Sequence, residues 1–221
     1  MLQPPRVSDR PCQQQPIDLT AVANRELLDA TPGDGQGWLD LGPSQDLSAL
    51  KPGRLESTVY DRTIAFAVAG KEAARCVLVR GKSFGLAGVP LAAAVPVGTR
   101  ATALVFLHAD TADNSSVKPA GTYQVVYEDG STVDFALRNT FDIAGWLKPT
   151  SYGSWQTARQ QTYCRNATLG WRGLTLDGRT VELSLTEWRN PNPTVAIREV
   201  RLSAPADGAL ALVGLTALVV P

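Results

Sequence analysis

The sequence predicts an all-β protein of two packed antiparallel sheets, with one short N-terminal helix. Three observations predict it. From residue 55 onward, short runs rich in Val, Leu, Thr and aromatics recur, bounded by Gly, Pro, Asp or Asn. Two of the joins, Glu128-Asp129-Gly130-Ser131 and Leu176-Asp177-Gly178-Arg179, carry Asp-Gly, which supplies the positive φ angles of a tight hairpin. Helical spacing of apolar residues occurs in one place only. Many short strands without crossover helices close into a two-sheet sandwich, and a jelly roll is the expected arrangement.

Taken in order, residues 1–16 contain Pro4, Pro5, Pro11 and the run Gln13-Gln14-Gln15 and read as a linker or extended N-terminal segment. The sandwich domain is expected over 17–221. Residues 19–28 read as the helix, with Asp18 as N-cap and Ala21, Val22, Ala23 and Leu27 as its apolar positions; Pro32 and the glycines at 33, 35 and 37 end it. Strands are expected at Tyr60 with 64–68, then 75–80, 101–108, 121–127 and 132–137, and later at 168–176, 180–186, 196–203 and 209–219. In Val181-Glu182-Leu183-Ser184-Leu185-Thr186 apolar and polar residues alternate, which describes a strand with one face on a core. Ile197 falls out of phase with Val200 and Leu202, so a β-bulge is expected near Arg198 and Glu199. The apolar run from Ala209 is interrupted by Gly214 and Thr216 and is shorter than the ~20 residues of a membrane-crossing helix. It reads as a buried last strand.

Charge narrows the partners. Lys plus Arg and Asp plus Glu each number 21, for a formal net charge of zero. Such a chain lacks the long-range field that draws proteins to nucleic acid or anionic membranes. The three cysteines, Cys12, Cys76 and Cys164, have no metal-ligand spacing. Cys76 lies in an apolar run and reads as a buried thiol, while Cys12 and Cys164 could pair in an oxidising compartment. The N-terminus carries no signal-peptide pattern. An extracellular or periplasmic location is expected, with its signal outside this chain.

Several groups could carry chemistry. Asp34, Asp40 and Asp46 sit in or beside a Gly/Pro-rich loop, where carboxylates either ligate Ca²⁺ or cap turns; turn-capping is the simpler reading. His108, the single histidine, ends an apolar strand close to Asp110 and Asp113. It is expected as a buried imidazole bridging loop backbone groups, with a general base or metal ligand as the alternative. Asp134, Asp142, Glu128 and Glu187 are the candidate carboxylates for glycoside hydrolysis, which uses a pair. Phosphate-loop and zinc-protease motifs are missing from the sequence. Of the five tryptophans, Trp38, Trp146, Trp155 and Trp188 fall in loop-like or strand-end contexts. An indole beside hydrogen-bonding groups suits the apolar face of a sugar ring, or else plugs the end of a sandwich.

Taken together, Ile17-Asp18-Leu19, Ala23-Asn24-Arg25, Gly37-Trp38-Leu39-Asp40-Leu41-Gly42-Pro43, Leu104-Val105-Phe106-Leu107-His108-Ala109, the run from Gly121 to Ser131 and Trp188-Arg189-Asn190-Pro191-Asn192-Pro193 resemble a galactose-binding-domain-like jelly-roll module. Modules of this kind are found as accessory domains of bacterial carbohydrate-active enzymes. The resemblance implies a fold, a carbohydrate ligand, a linked or adjacent catalytic domain and one structural calcium. It carries over no binding residue position by position. From loop context and chemistry, the nominated ligand-binding residues are Trp146, Trp155, Trp188 and Asn190, with Asp142 and Arg138 as hydroxyl partners near Trp146. The function expected is recognition of a polysaccharide or oligosaccharide without catalysis. The alternatives are a small β-sandwich glycoside hydrolase or polysaccharide lyase, using Glu187, Asp142 or His108, and a structural accessory domain.

Overall fold

The computed structural model of the chain describes residues 6–9, 11–59, 62–70, 74–112, 117–146 and 166–219. Its strands are β1 (Gln13–Ile17), β2 (Gly53–Val59), β3 (Arg62–Val68), β4 (Val77–Arg80), β5 (Ala92–Thr99), β6 (Ala103–Asp110), β7 (Pro119–Tyr127), β8 (Thr132–Arg138), β9 (Ala167–Leu174), β10 (Thr180–Arg189), β11 (Ile197–Ser203) and β12 (Ala209–Val219). All pairs are antiparallel. One sheet runs β1-β12-β6-β10-β9, with β4 also on β12, and the second runs β5-β11-β7-β8. Within them, β4-β12-β6-β10 facing β5-β11-β7-β8 is the eight-strand order of a jelly roll. β1, β9 and the separate β2-β3 hairpin are additions to that frame.

The additions explain why two strands show no alternation. β6 and β12 are buried along almost their whole length. Leu104, Phe106, Leu210, Leu212, Leu215 and Ala217 face the core between the two sheets. Val105, Leu107, Ala211, Val213 and Leu218 belong to a second core, shared with β3 and the segment around residues 27–50. A strand covered on both faces reads as a continuous apolar run. In β12 the phase changes where the register shifts between Leu212 and Gly214. A Cβ on Gly214 would lie 2.9 Å from the Phe66 ring, so glycine lets β3 settle against the sheet.

The expected bulge is present. β11 shifts register between Ile197 and Glu199 against both β5 and β7, which brings Ile197, Val200 and Leu202 onto one core. Both Asp-Gly hairpins form, but only the glycine takes a positive φ, 84° at Gly130 and at Gly178. Gly130 N donates to Tyr127 O at 3.0 Å, and Tyr127 N to Ser131 O at 2.9 Å. Such a turn with a left-handed glycine bulge is a three-residue hairpin loop rather than the two-residue one.

One expectation is corrected. Residues 19–28 form a single turn, with Val22 N and Ala23 N on Leu19 O, and no helix. The chain then attaches to the sheet edge. Asn24 N donates to Cys76 O at 2.9 Å, and the Asn24 side-chain amide bonds Leu78 N and O, each at 2.9 Å. Leu19 serves the inter-sheet core and Leu27 the other, so the segment must cross from one side of the sheet to the other. The N-terminal segment contributes a strand: β1 starts at Gln13 and pairs with β12 through Gln13↔Val219. β2 and β5 were not among the expected strands. β5 is an edge strand carrying Pro96, where proline is tolerated and discourages further pairing.

Candidate functional site

The nominated residues fall at opposite ends of the sandwich. Trp188 pairs with Leu104 at the start of β6, whereas Gly145 bridges Asp110 at its end. Asp110 lies six residue steps beyond Leu104 along β6, about 20 Å at the rise of a strand. They do not form one site. Trp155 lies outside the described residues.

At the first end, Asn190 is a plug. Its Nδ2 donates to Ala101 O at 2.7 Å, and its Oδ1 accepts from Tyr127 OH at 2.5 Å and Asn192 N at 2.9 Å. Its own backbone N reaches Thr102 O at 2.9 Å. Buried polar groups need such partners. Trp188 is half-buried and stacks on Phe135 across the gap between the sheets, with ring centroids 6.4 Å apart.

At the second end, Asp142 is a latch. Its carboxylate, 2% exposed by side chain, accepts from Arg138 N at 3.0 Å, Arg138 Nε at 2.9 Å and Asn166 Nδ2 at 2.6 Å. The carboxylate raises the Arg138 guanidinium above its usual range through hydrogen bonding first and charge second. Arg138 is exposed, with its guanidinium 4.7 Å from the Phe141 ring centroid. Trp146 is buried edge-to-face on Trp38 at 4.8 Å, and its Nε1 donates to Gln45 Oε1 at 3.2 Å. Trp38 and Trp146 are therefore packing residues of the second core.

His108 is buried as expected, but it bridges side-chain hydroxyls of two strands and not loop backbone groups. Nδ1 lies 3.0 Å from Tyr123 OH and Nε2 lies 3.0 Å from Thr186 Oγ1. Thr186 Oγ1 donates its one proton to the carbonyl oxygen of Asp142, so it must accept from His108 Nε2–H. Nδ1 then accepts from Tyr123. Burial lowers the imidazole from its ordinary 6.5 to about 3, against opposing effects of Asp142. Burial also pushes the Tyr123 hydroxyl well up, and the nearby Asp110 charge adds to it. This directed chain fixes the 138–146 segment between β6 and β10. It encloses the imidazole instead of presenting it.

The loop carboxylates are turn caps. Asp34 accepts from Gln36 N at 2.8 Å, Asp40 from Gly35 N at 3.0 Å, and Asp46 from Asp29 N and Ser48. Asp29, missed by the sequence reading, holds the loop through Leu39 N, Leu41 N and Gly42 N. Carboxylates aimed at N–H donors do not fit Ca²⁺, which needs convergent oxygens. Among the described residues no group of three or more Asp, Glu, His or Cys converges. Cys12 and Cys76 carry free thiols, and burial pushes that of Cys76 up to about 12. Cys164 and Asp113 lie outside the described residues. No helix among the described residues is long and apolar enough to cross a membrane.

What the second end presents to solvent is a cleft of about 420 Å³, lined by Asp110, Thr111, Lys118, Pro119, Pro205 and Asp207 among others. That volume lies within the range of small-ligand sites. Its walls are tied in place. Gly81 N donates to Gly208 O and Ser83 N to Ala206 O, each at 2.8 Å. A Cβ on Gly81 would sit 1.9 Å from Pro205 O, so only glycine permits the approach. Thr111 Oγ1 accepts from Ala209 N at 2.8 Å. Of these residues the sequence singled out Asp110 alone, as a neighbour of His108. Lys118-Pro119 and Pro205-Ala206-Asp207-Gly208 read only as turn chemistry, and nothing local says that they converge. Comparison with family models, curated proteins and solved structures returned no match.

Proposed function

We propose that this domain recognises carbohydrate without breaking a bond, and that ligand enters the cleft at the β6–β7 end. The supporting observation is the cleft itself. Tied walls reduce the ordering cost of binding. Carboxylate, hydroxyl and ammonium groups suit sugar hydroxyls, and the rings of Pro119 and Pro205 offer apolar surface to C–H groups. The jelly-roll order is the architecture that the galactose-binding-like resemblance implies. An extracellular or periplasmic setting beside a catalytic domain accords with the same reading. Of the nominated residues, half-buried Trp188 retains indole surface at the opposite end, while Asn190, Asp142 and Trp146 are engaged internally. A hydrolase working through His108 or Asp142 would first have to open the latch.

The test is affinity electrophoresis and tryptophan fluorescence across a panel of polysaccharides and oligosaccharides. Retention by one sugar class is expected, with Kd for a short oligosaccharide of about micromolar to millimolar. Silence across the whole panel, or release of products from a retained polysaccharide, overturns the proposal. A second reading, a structural accessory domain, is favoured by Leu169, Leu174 and Leu176, which are exposed on or just beyond edge strand β9. Tight association with a neighbouring domain and no sugar response would select it.

A further inference from the structure

We infer that Tyr123 and His108 form a one-electron redox site, in which Tyr123 is oxidised, His108 takes its proton, and Trp188 connects the pair to a radical oxidant in solvent. The inference stands apart from the carbohydrate reading.

A line of rings carries it. Trp188 stacks on Phe135 with centroids 6.4 Å apart, and Phe135 lies 6.4 Å from Tyr123. Tyr123 stacks on Phe106 at 4.3 Å with the planes 7° apart, and its ring lies 5.7 Å from that of His108. Trp38 and Trp146 are buried in the second core, and half-buried Trp171 packs on that same core. Half-buried Trp188 is thus the described tryptophan that meets both solvent and the rings around Tyr123.

Packing accounts for the rings but not for their polar end. Phenylalanine at 123 would stack on Phe106 equally well. Tyr123 and His108 are both 0% exposed, and a buried hydroxyl or imidazole costs free energy unless it is paired. Thr186 reaches the Asp142 carbonyl oxygen through its own hydroxyl, so the phenol is no part of that contact. What the phenol adds is a proton path. Tyr123 OH donates to His108 Nδ1 at 3.0 Å, and His108 Nε2–H donates to Thr186 Oγ1 at 3.0 Å.

In the step proposed, Trp188 passes one electron to an oxidant such as carbonate radical anion and becomes the indole radical cation. Tyr123 then gives an electron to the indole, and its phenolic proton crosses to Nδ1. The products are the reduced oxidant, neutral Trp188, a neutral Tyr123 phenoxyl radical and the His108 imidazolium. An oxidised phenol is a far stronger acid than a phenol. His108 therefore takes the proton although burial makes it a weak base, and the Asp142 charge works against that weakening. The proton moves within a hydrogen bond already formed, so no solvent has to reorganise.

The experiment uses the full chain. Photogenerated tris-bipyridyl ruthenium(III) in solution is the oxidant, transient absorption follows the phenoxyl radical, and EPR of frozen samples identifies it. Expected is a tyrosyl signal whose largest g-value is lowered by a hydrogen bond from the imidazolium, and which rises more slowly in heavy water. Tyr123→Phe should abolish that component, and His108→Gln should suppress it, since an amide cannot take the proton. Trp188→Phe should delay its rise, whereas Trp171→Phe, in the other core, should leave it unchanged. The two tryptophan variants keep Tyr123 and His108 in place, so they decide the case even where Tyr123→Phe lowers the melting midpoint. The inference is overturned by the lack of a component with that g-value, by its survival in Tyr123→Phe, or by equal kinetics in Trp188→Phe and Trp171→Phe.

Discussion

The two ends of the sandwich close by different means. At the Trp188 end, Asn190 reaches three partners at once and ties the turn after β10 to Tyr127 and to the backbone before β6. At the Asp110 end, Asp142 and the His108 chain pin the 138–146 segment inward, and the loops around them leave a cleft. Asn190 and Asp142 look alike in sequence, as polar residues near a tryptophan, and both were nominated for ligand contact. The structure shows each consumed by the loops it holds. A group free to meet a ligand is found where a rim residue such as Asp207 has no such task.

The sharpest way to break the comparison is Asn190→Ala. It leaves Tyr127 OH and the Ala101 carbonyl without their partner, and a loss of about 3 kcal/mol is expected in urea unfolding. If Asp142→Asn costs more than this, the plugged end is not the better-tied one. Next comes pH. The folded imidazole of His108 has its pKa near 3 against 6.5 when free, so the unfolded chain takes up a proton between those values and the folded chain does not. Stability from this group is full above pH 6.5 and falls as pH drops through the window, by about 2 kcal/mol between pH 7 and 5. His108→Gln should flatten that slope in denaturation followed at several pH values.

Asp142→Asn is expected to cost about 1–2 kcal/mol, chiefly from the buried contacts to Asn166 and Arg138 N, because the Arg138 guanidinium is half-exposed and contributes little. Gly130→Ala, in open space at φ 84°, should cost about 1 kcal/mol and serves as a measure of an ordinary turn defect near the plugged end. At the bottom of the series, Asp207→Lys should leave the urea midpoint unmoved.

Much of the frame was legible. Asp-Gly placed both hairpins, alternation placed β10, and the slip at Ile197 located a real bulge. β1 was missed because Gln13-Gln14-Gln15-Pro16 has low strand propensity and forms only against the edge of β12. The helix over 19–28 failed for the converse reason. Its local pattern was adequate, but Cys76 and Leu78 offered Asn24 and Arg25 a ladder that a helix could not use. Of the site, the sequence supplied residue types and left their tasks open.

By itself, then, the sequence determined the class of fold, the turns and the burial of the long apolar strands, because these depend on periodicity and on the backbone preferences of single residues. Only the tertiary structure decided that β6 and β12 are covered on both faces, that Asn190 and Asp142 bond inward, and that Lys118 and Asp207 line one cleft. Those outcomes depend on contacts between segments remote in the chain, and a side chain's partners are chosen by what the fold brings within hydrogen-bonding reach.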